Sequence, residues 1–144
     1  MPVAIINKPF NITLYGLSGK VLNKDYTSAR NRLMDPMWKE IKSKGIKNKG
    51  INYWVYEKEM FFCGVELDGQ VPAECNLVMK EVNMPKYAYL KHTGPYVKLK
   101  NSYAAMHREL EKRKIVFHFP LIEIYGHWTE DETKLETELV YEVD

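Results

Sequence analysis

The order of hydropathy patterns repeats along the chain, and that repeat limits the fold more than any single motif. Phe10, Ile12 and Leu14 alternate with Asn11, Thr13 and Tyr15 and then meet Gly16, the period-two signature of a half-buried strand. Asp35 and Pro36 follow as a predicted N-cap and first helical residue. Met34, Met37, Trp38 and Ile41 then recur at helical spacing up to Gly45. Two β-branched and aromatic runs, Ile51 to Tyr56 and Met60 to Leu67, flank the charged Glu57-Lys58-Glu59 and predict a hairpin. The second half gives the same order. A strand at Tyr87 to His92 leads through Gly94-Pro95 into a helix carrying Leu99, Tyr103, Met106 and Leu110, and alternating runs follow at Leu121 to Tyr125 and Leu135 to Val143.

The predicted architecture is therefore α+β: one domain over 1–144, made of two pseudo-symmetric β-α-β-β halves, about 1–72 and 73–144, that meet near the turn-rich Asp68 to Pro72. Each half offers one face of its antiparallel sheet to its helix, which lies outside. The other face stays open, and two open faces side by side make a shared groove. If Ile122 and Ile124 pack under the helix, then Leu121, Glu123 and Tyr125 point the opposite way, into that groove.

Composition narrows the function classes. With 10 Tyr, 5 Phe and 3 Trp in 144 residues, the chain is rich in rings, whereas 21 basic against 19 acidic residues leave a net charge of only +2. Such a balance argues against direct nucleic-acid binding. The one basic cluster, Lys39 to Lys49, reads as a solvated helix end. No run of about 18 apolar residues and no leader pattern is present, so no membrane partner is expected and a cytoplasmic location is. Cys63 and Cys75 lack a metal or redox spacing, and the four histidines lack HxxxH or HxH spacing. Dinucleotide, P-loop and nucleophile-elbow motifs are missing too, so no cofactor and no metal are expected.

Glu123 is the leading candidate. Set among aromatic neighbours, with Tyr125, Trp54, Tyr56 and Trp128 as groove walls, it suits a cationic or strongly hydrogen-bonding small molecule, because ring faces and a carboxylate both attract positive charge. The same surroundings would raise its pKa and equip it as a general acid or base acting on a small electrophile. Glu138 is a second candidate on its alternating strand, although Glu136 and Glu142 share its parity and also suit a water-facing row. Trp38 and Tyr103, at helical spacing with Met and Leu, are expected in the core rather than the groove.

The segment Lys91-His92-Thr93-Gly94-Pro95-Tyr96, the helix with Tyr103 and then Pro120 to Tyr125 resemble the second half of the GyrI-like effector-binding domains. Those ligand-binding modules are found attached to AraC-type and MerR-type regulators. Tyr15-Gly16-Leu17-Ser18, Met37-Trp38 and Phe62-Cys63-Gly64-Val65-Glu66 resemble the first half, and the integron-associated, stand-alone branch is most similar. The resemblance implies a bacterial effector-binding protein linked to transcription regulation or drug sensing, with Glu123 at the position of the acid that holds cationic aromatic drugs. Thr137-Glu138-Leu139 is similar to the opening of the family's last strand, and Tyr15 and Phe62 of the first-half motifs complete the candidate ligand-binding set. No helix-turn-helix reader is expected, so regulation would need a separate regulator or other protein partner. Two alternatives remain open: some relatives look like small hydrolases of reactive electrophiles, and others are gyrase inhibitors acting through protein contacts.

Overall fold

The computed structural model describes residues 2–144. Its elements are β1 (Ala4–Ile6), β2 (Phe10–Lys20), α1 (Tyr26–Ser43), β3 (Asn52–Tyr56), β4 (Met60–Val65), β5 (Val78–Met84), β6 (Tyr87–Thr93), α2 (Leu99–Lys112), β7 (Phe117–Tyr125) and β8 (Glu136–Val143). Over the described residues these strands form one antiparallel sheet in the order β1-β6-β8-β7-β3-β4-β2-β5. Read from either edge, that order is the same once each strand is exchanged for its counterpart in the other half. The predicted α+β class with two β-α-β-β halves is thus present, and the halves fuse through the central β3–β7 pair, where Trp54 lies opposite Glu123.

Two short strands extend the predicted pattern. β1 leaves its own half to pair with β6, and β5 pairs back onto β2, so each half caps the edge of the other. In β5 the alternation is obscured by the adjacent charges Lys80 and Glu81, which suit an edge strand because charge deters pairing with a further chain. Lys80 forms an ion pair with Glu57.

The sheet is strongly curved. Strands β2 and β6 are five strand spacings apart, about 24 Å on a flat sheet. Yet the rings of Phe10 on β2 and Tyr87 on β6 meet at 5.4 Å between centroids. Curling closes the face without helices upon itself, and Leu14, Val55, Phe62, Met84, Ile122 and Val140 fill its interior, each at most 2% exposed. Both helices lie on the outer face, as expected. α1 sets Ala29, Met37 and Ile41 over Phe61, Cys63 and Val65, while α2 sets Leu99, Met106 and Leu110 over Ala88, Leu90 and Leu139.

This geometry corrects the expected parity. Ile122 and Ile124 do not pack under a helix; they belong to the interior of the curl, and Glu123 and Tyr125 point outward to the helix side. The groove is therefore the gap between the two helices, since the face expected to stay open is consumed as core. A register shift between His118 and Leu121 precedes these residues, an irregularity that simple alternation does not reveal.

The start of α1 is a second correction. Asp25 caps it, accepting from the Ser28 backbone N–H at 3.1 Å, and Pro36 lies inside the helix, where it forfeits one helical hydrogen bond. Ala29 and Leu33 precede Met37 at four-residue steps, so the apolar stripe begins well before Asp35. The expected end at Gly45 is found: its φ of +60° allows the Gly45 and Ile46 N–H groups to donate to the Lys42 and Ile41 carbonyls.

Gly16 and Gly64, from two of the three first-half motifs, face each other across β2 and β4. A Cβ on Gly16 would stand 1.8 Å from the Cys63 carbonyl oxygen, and one on Gly64 would meet the Phe62 ring at 2.6 Å. Close backbone approach explains both residues. Gly16→Ala is expected to destabilise the protein by on the order of 3 kcal/mol in urea unfolding. Gly45→Ala, which meets nothing within 4 Å but keeps the left-handed φ, should cost about 1 kcal/mol.

Candidate functional site

Glu123 sits on β7 at the centre of the sheet and is 4% exposed. Its Oε1 accepts from the Tyr56 hydroxyl at 2.7 Å and from the Tyr125 hydroxyl at 2.8 Å. Its Oε2 accepts from the Tyr103 hydroxyl. The three donors come from β3, β7 and α2, so the carboxylate exists in this setting only when both halves are assembled. Burial pushes its pKa above the usual carboxylate range, opposed by the donated hydrogen bonds and by the positive charge of Arg30. Burial and the Glu123 charge push Tyr56 and Tyr125 up as well, so both stay protonated donors.

The motif around His92 places Tyr103. His92 is buried, its Nε2 facing the Pro95 carbonyl at 3.0 Å and its Nδ1 facing the Ser102 hydroxyl at 2.7 Å. A carbonyl can only accept, so Nε2 carries a proton and ties the Gly94-Pro95 turn to α2. Gly94 N–H adds a bond to the Leu135 carbonyl at 2.7 Å. The resembling segment thus acts structurally, orienting the helix that brings the third hydroxyl to Glu123.

Two cavities lie beside this site; the one that Glu123 lines is called the inner and its neighbour the outer. The inner one, about 350 Å³, is lined by Tyr26, Tyr56, Tyr103, Phe119, Leu121 and Glu123. An outer one, about 640 Å³, is lined by residues that include Arg30, Asn52, Trp54, Tyr96, Tyr125 and Trp128. Between them the Arg30 guanidinium lies 4.7 Å from the Trp54 ring centroid, a cation–π contact. Trp54 also packs on Tyr125, with centroids 4.4 Å apart, and its indole N–H donates to the Met34 sulfur at 3.2 Å.

Of the residues chosen from sequence, Glu123, Tyr125, Trp54 and Tyr56 meet in the groove, and Trp128 stands at its outer rim, 72% exposed. Three do not join them. Glu138 faces the other side of the sheet and accepts from Tyr89, because it pairs with Ile124, whose side chain points inward. Phe62 is sealed in the interior over Gly64, and Tyr15 lies beside Val65 on β2, outside the lining of either cavity.

Tyr103 packs its ring against the core as expected, but its hydroxyl reaches the acid and it lines the inner cavity, so it belongs to the groove as well. Arg30 and Tyr26 lie on the part of α1 that the sequence reading did not include. Trp38 does pack with the core, and its N–H donates to Asn52 at 3.0 Å. Both cysteines are free, and burial pushes the Cys63 thiol up to about 11. Among the described residues no His, Cys, Asp and Glu side chains converge as a metal site, and no helix is long and apolar enough to cross a membrane.

The raised Glu123 pKa has a defined consequence for stability. A carboxyl protonated more readily in the folded than in the unfolded state lends stability that is complete below the unfolded value, near 4.5, and is lost as pH rises through the folded one. Glu123→Gln lacks this titration. Its stability relative to wild type should therefore rise as pH increases above 4.5, by at most about 1.4 kcal/mol per pH unit, read as a rise in relative melting temperature. A difference that stays flat with pH would contradict the assignment.

No protein-family model matches the chain, and no curated protein does. Solved structures do match. The EcmrR C-terminal domain superposes with a TM-score of 0.71 at 19% identity, covering 99% of this chain and 97% of that one. The chain spans only 57% of the EcmrR chain seen in complex with DNA, at 18% identity and a TM-score of 0.72. SAV2435 bound to tetraphenylphosphonium gives a TM-score of 0.66 at 15% identity, covering 100% of this chain and 94% of that one. A hydrolase from Listeria innocua gives 0.55 at 13% identity, with 96% and 92% covered. The chain therefore shares the fold of the EcmrR C-terminal domain and SAV2435, the fold that its resemblance to the GyrI-like effector-binding domains called for.

Proposed function

We propose that this protein binds small amphipathic or cationic aromatic effectors, with Glu123 as counter-charge and Tyr56, Trp54, Tyr125 and Trp128 as walls. The observation that carries this reading is a carboxylate 4% exposed, held by three tyrosine hydroxyls, that lines an aromatic cavity. A carboxylate in so dry a place is costly unless something compensates it, and a delocalised organic cation does so without needing the water that a small ion would demand. The tetraphenylphosphonium bound to SAV2435 is a ligand of that class on the same fold. Tyrosine donors orient the carboxylate, and the rings supply flat apolar contact to ligands of varied shape.

In this reading the chain is an effector-binding unit of transcription regulation or multidrug recognition in the cytoplasm of a bacterium. Its output passes to a separate DNA reader or other protein partner rather than to DNA directly. A second reading is favoured by one observation, the protonatable Glu123 beside hydroxyls that could polarise a substrate: general acid or base hydrolysis of a small electrophile. The Listeria innocua hydrolase on this fold belongs to that alternative.

A thermal-shift titration with tetraphenylphosphonium, followed by mass spectrometry of the recovered compound, separates the two. Wild type should be stabilised by about 2.7 kcal/mol at 100 times Kd. Glu123→Gln should bind about 10 to 100-fold more weakly, the loss of a charged partner. Absence of any shift, or equal binding by the variant, would overturn the reading. The same assay with small epoxides, if product appeared with wild type and not with Glu123→Gln, would establish the hydrolase instead.

A further inference from the structure

We propose that the outer cavity is a second ligand site, selective for flat aromatic carboxylates, with Arg30 as the residue that receives the anion. This goes beyond the effector reading, whose counter-charge Glu123 lines the inner cavity, although three of its walls, Trp54, Tyr125 and Trp128, line the outer one.

The charge inventory differs between the two spaces. Glu123 lines the inner cavity, whereas among the described residues no Asp or Glu lines the outer one, and Arg30 is its only charged residue. Among the described residues no carboxylate comes within 4 Å of the guanidinium as an ion-pair partner. Its guanidinium donates to the Thr27 hydroxyl at 3.3 Å, near the limit for such a bond, and also meets the Tyr56 hydroxyl. The Arg30 charge does act on Glu123 and Tyr56, which locates it at the boundary, stacked on Trp54, with donors to spare.

Two amides and the Tyr96 and Tyr125 hydroxyls add polar groups to the outer cavity. Asn52 accepts the Trp38 N–H through its Oδ1, which makes the NH₂ the other end of its side chain, and Asn31 lies on the same helix as Arg30. Trp54 has already spent its N–H on Met34. Around these donors stand Trp54, Tyr96, Tyr125 and Trp128, with Tyr96 packed edge-on to Tyr125 at 5.4 Å. Tyr96 and Trp128 remain 40% and 72% exposed, large rings that a ligand would cover. A volume of about 640 Å³ falls within the range of small-molecule pockets. Guanidinium favours a planar two-oxygen anion, which it can bind through two parallel hydrogen bonds, and the rings favour a flat apolar body. A carboxylate attached to an aromatic ring system meets both demands.

Isothermal titration of the full chain with 2-naphthoate and with its neutral isostere 2-naphthamide tests this. Wild type is expected to bind the acid at least about 10-fold more tightly than the amide, or about 1.4 kcal/mol. Arg30→Gln should bind the two within about 2-fold of each other, and Glu123→Gln should keep the preference. Equal binding of acid and amide by wild type, no binding of the acid at millimolar concentration, or a preference that survives Arg30→Gln would each overturn the proposal. The wild-type comparison stands even if Arg30→Gln folds poorly. The acid-over-amide preference reads the Arg30 charge, and the sensitivity of tetraphenylphosphonium binding to Glu123→Gln reads the Glu123 charge, so either reading can fail alone even though the two share walls.

Discussion

The pairing of β3 with β7 is the contact on which everything else rests. It joins two similar halves into one sheet, and it sets Trp54 opposite Glu123 at the midpoint between the helices. Without that ladder, Tyr56 from the first half could not reach an acid in the second, and neither helix would have a facing wall. Because the edge strands β1 and β5 are exchanged between halves, separating the halves also means uncovering two sheet edges. The site is thus coupled to the cooperative assembly of the whole chain rather than to either half.

Curvature then divides the labour of the two sheet faces. The inner face becomes a dry interior of aliphatic and aromatic side chains, which supplies burial without any helix. The outer face is left with helices at its flanks and a gap over its middle, where polar groups are admitted. A buried carboxyl there opposes stability, and three hydroxyls from separate elements offset part of the penalty. Arg30 offsets a further part from the rim. Groups held against their own preference in this way are common where a protein must meet a ligand.

Much of the site was legible in the sequence, and the failures follow a rule. Glu123, Tyr125, Trp54 and Tyr56 were placed together because alternation on two central strands puts them on shared rows. Phe62 and Glu138 were misjudged because both faces of the neighbouring strands β4 and β8 are buried: Phe61 at 0% and Phe62 at 2%, like Leu139 and Val140 at 0%, are equally hidden. Tyr103 follows the stripe of a core helix, and nothing in that spacing announces where a hydroxyl at the tip of the ring will end. Arg30 was hidden by Asp35-Pro36, a strong start signal that a tertiary stripe from Ala29 to Ile41 overrides.

The β-α-β-β repeat and strand alternation belong to the sequence itself, because each depends on neighbours a few residues apart and on the steric demands of single residues. Which face of the sheet would close upon itself, and therefore which side Glu123 would occupy, was decided only in three dimensions. Period-two alternation states which residues share a face but not what that face meets, and inverting a strand leaves the pattern unchanged. Curvature breaks the tie, since it sums the twist and register of strands from both ends of the chain, down to the contact of Phe10 with Tyr87.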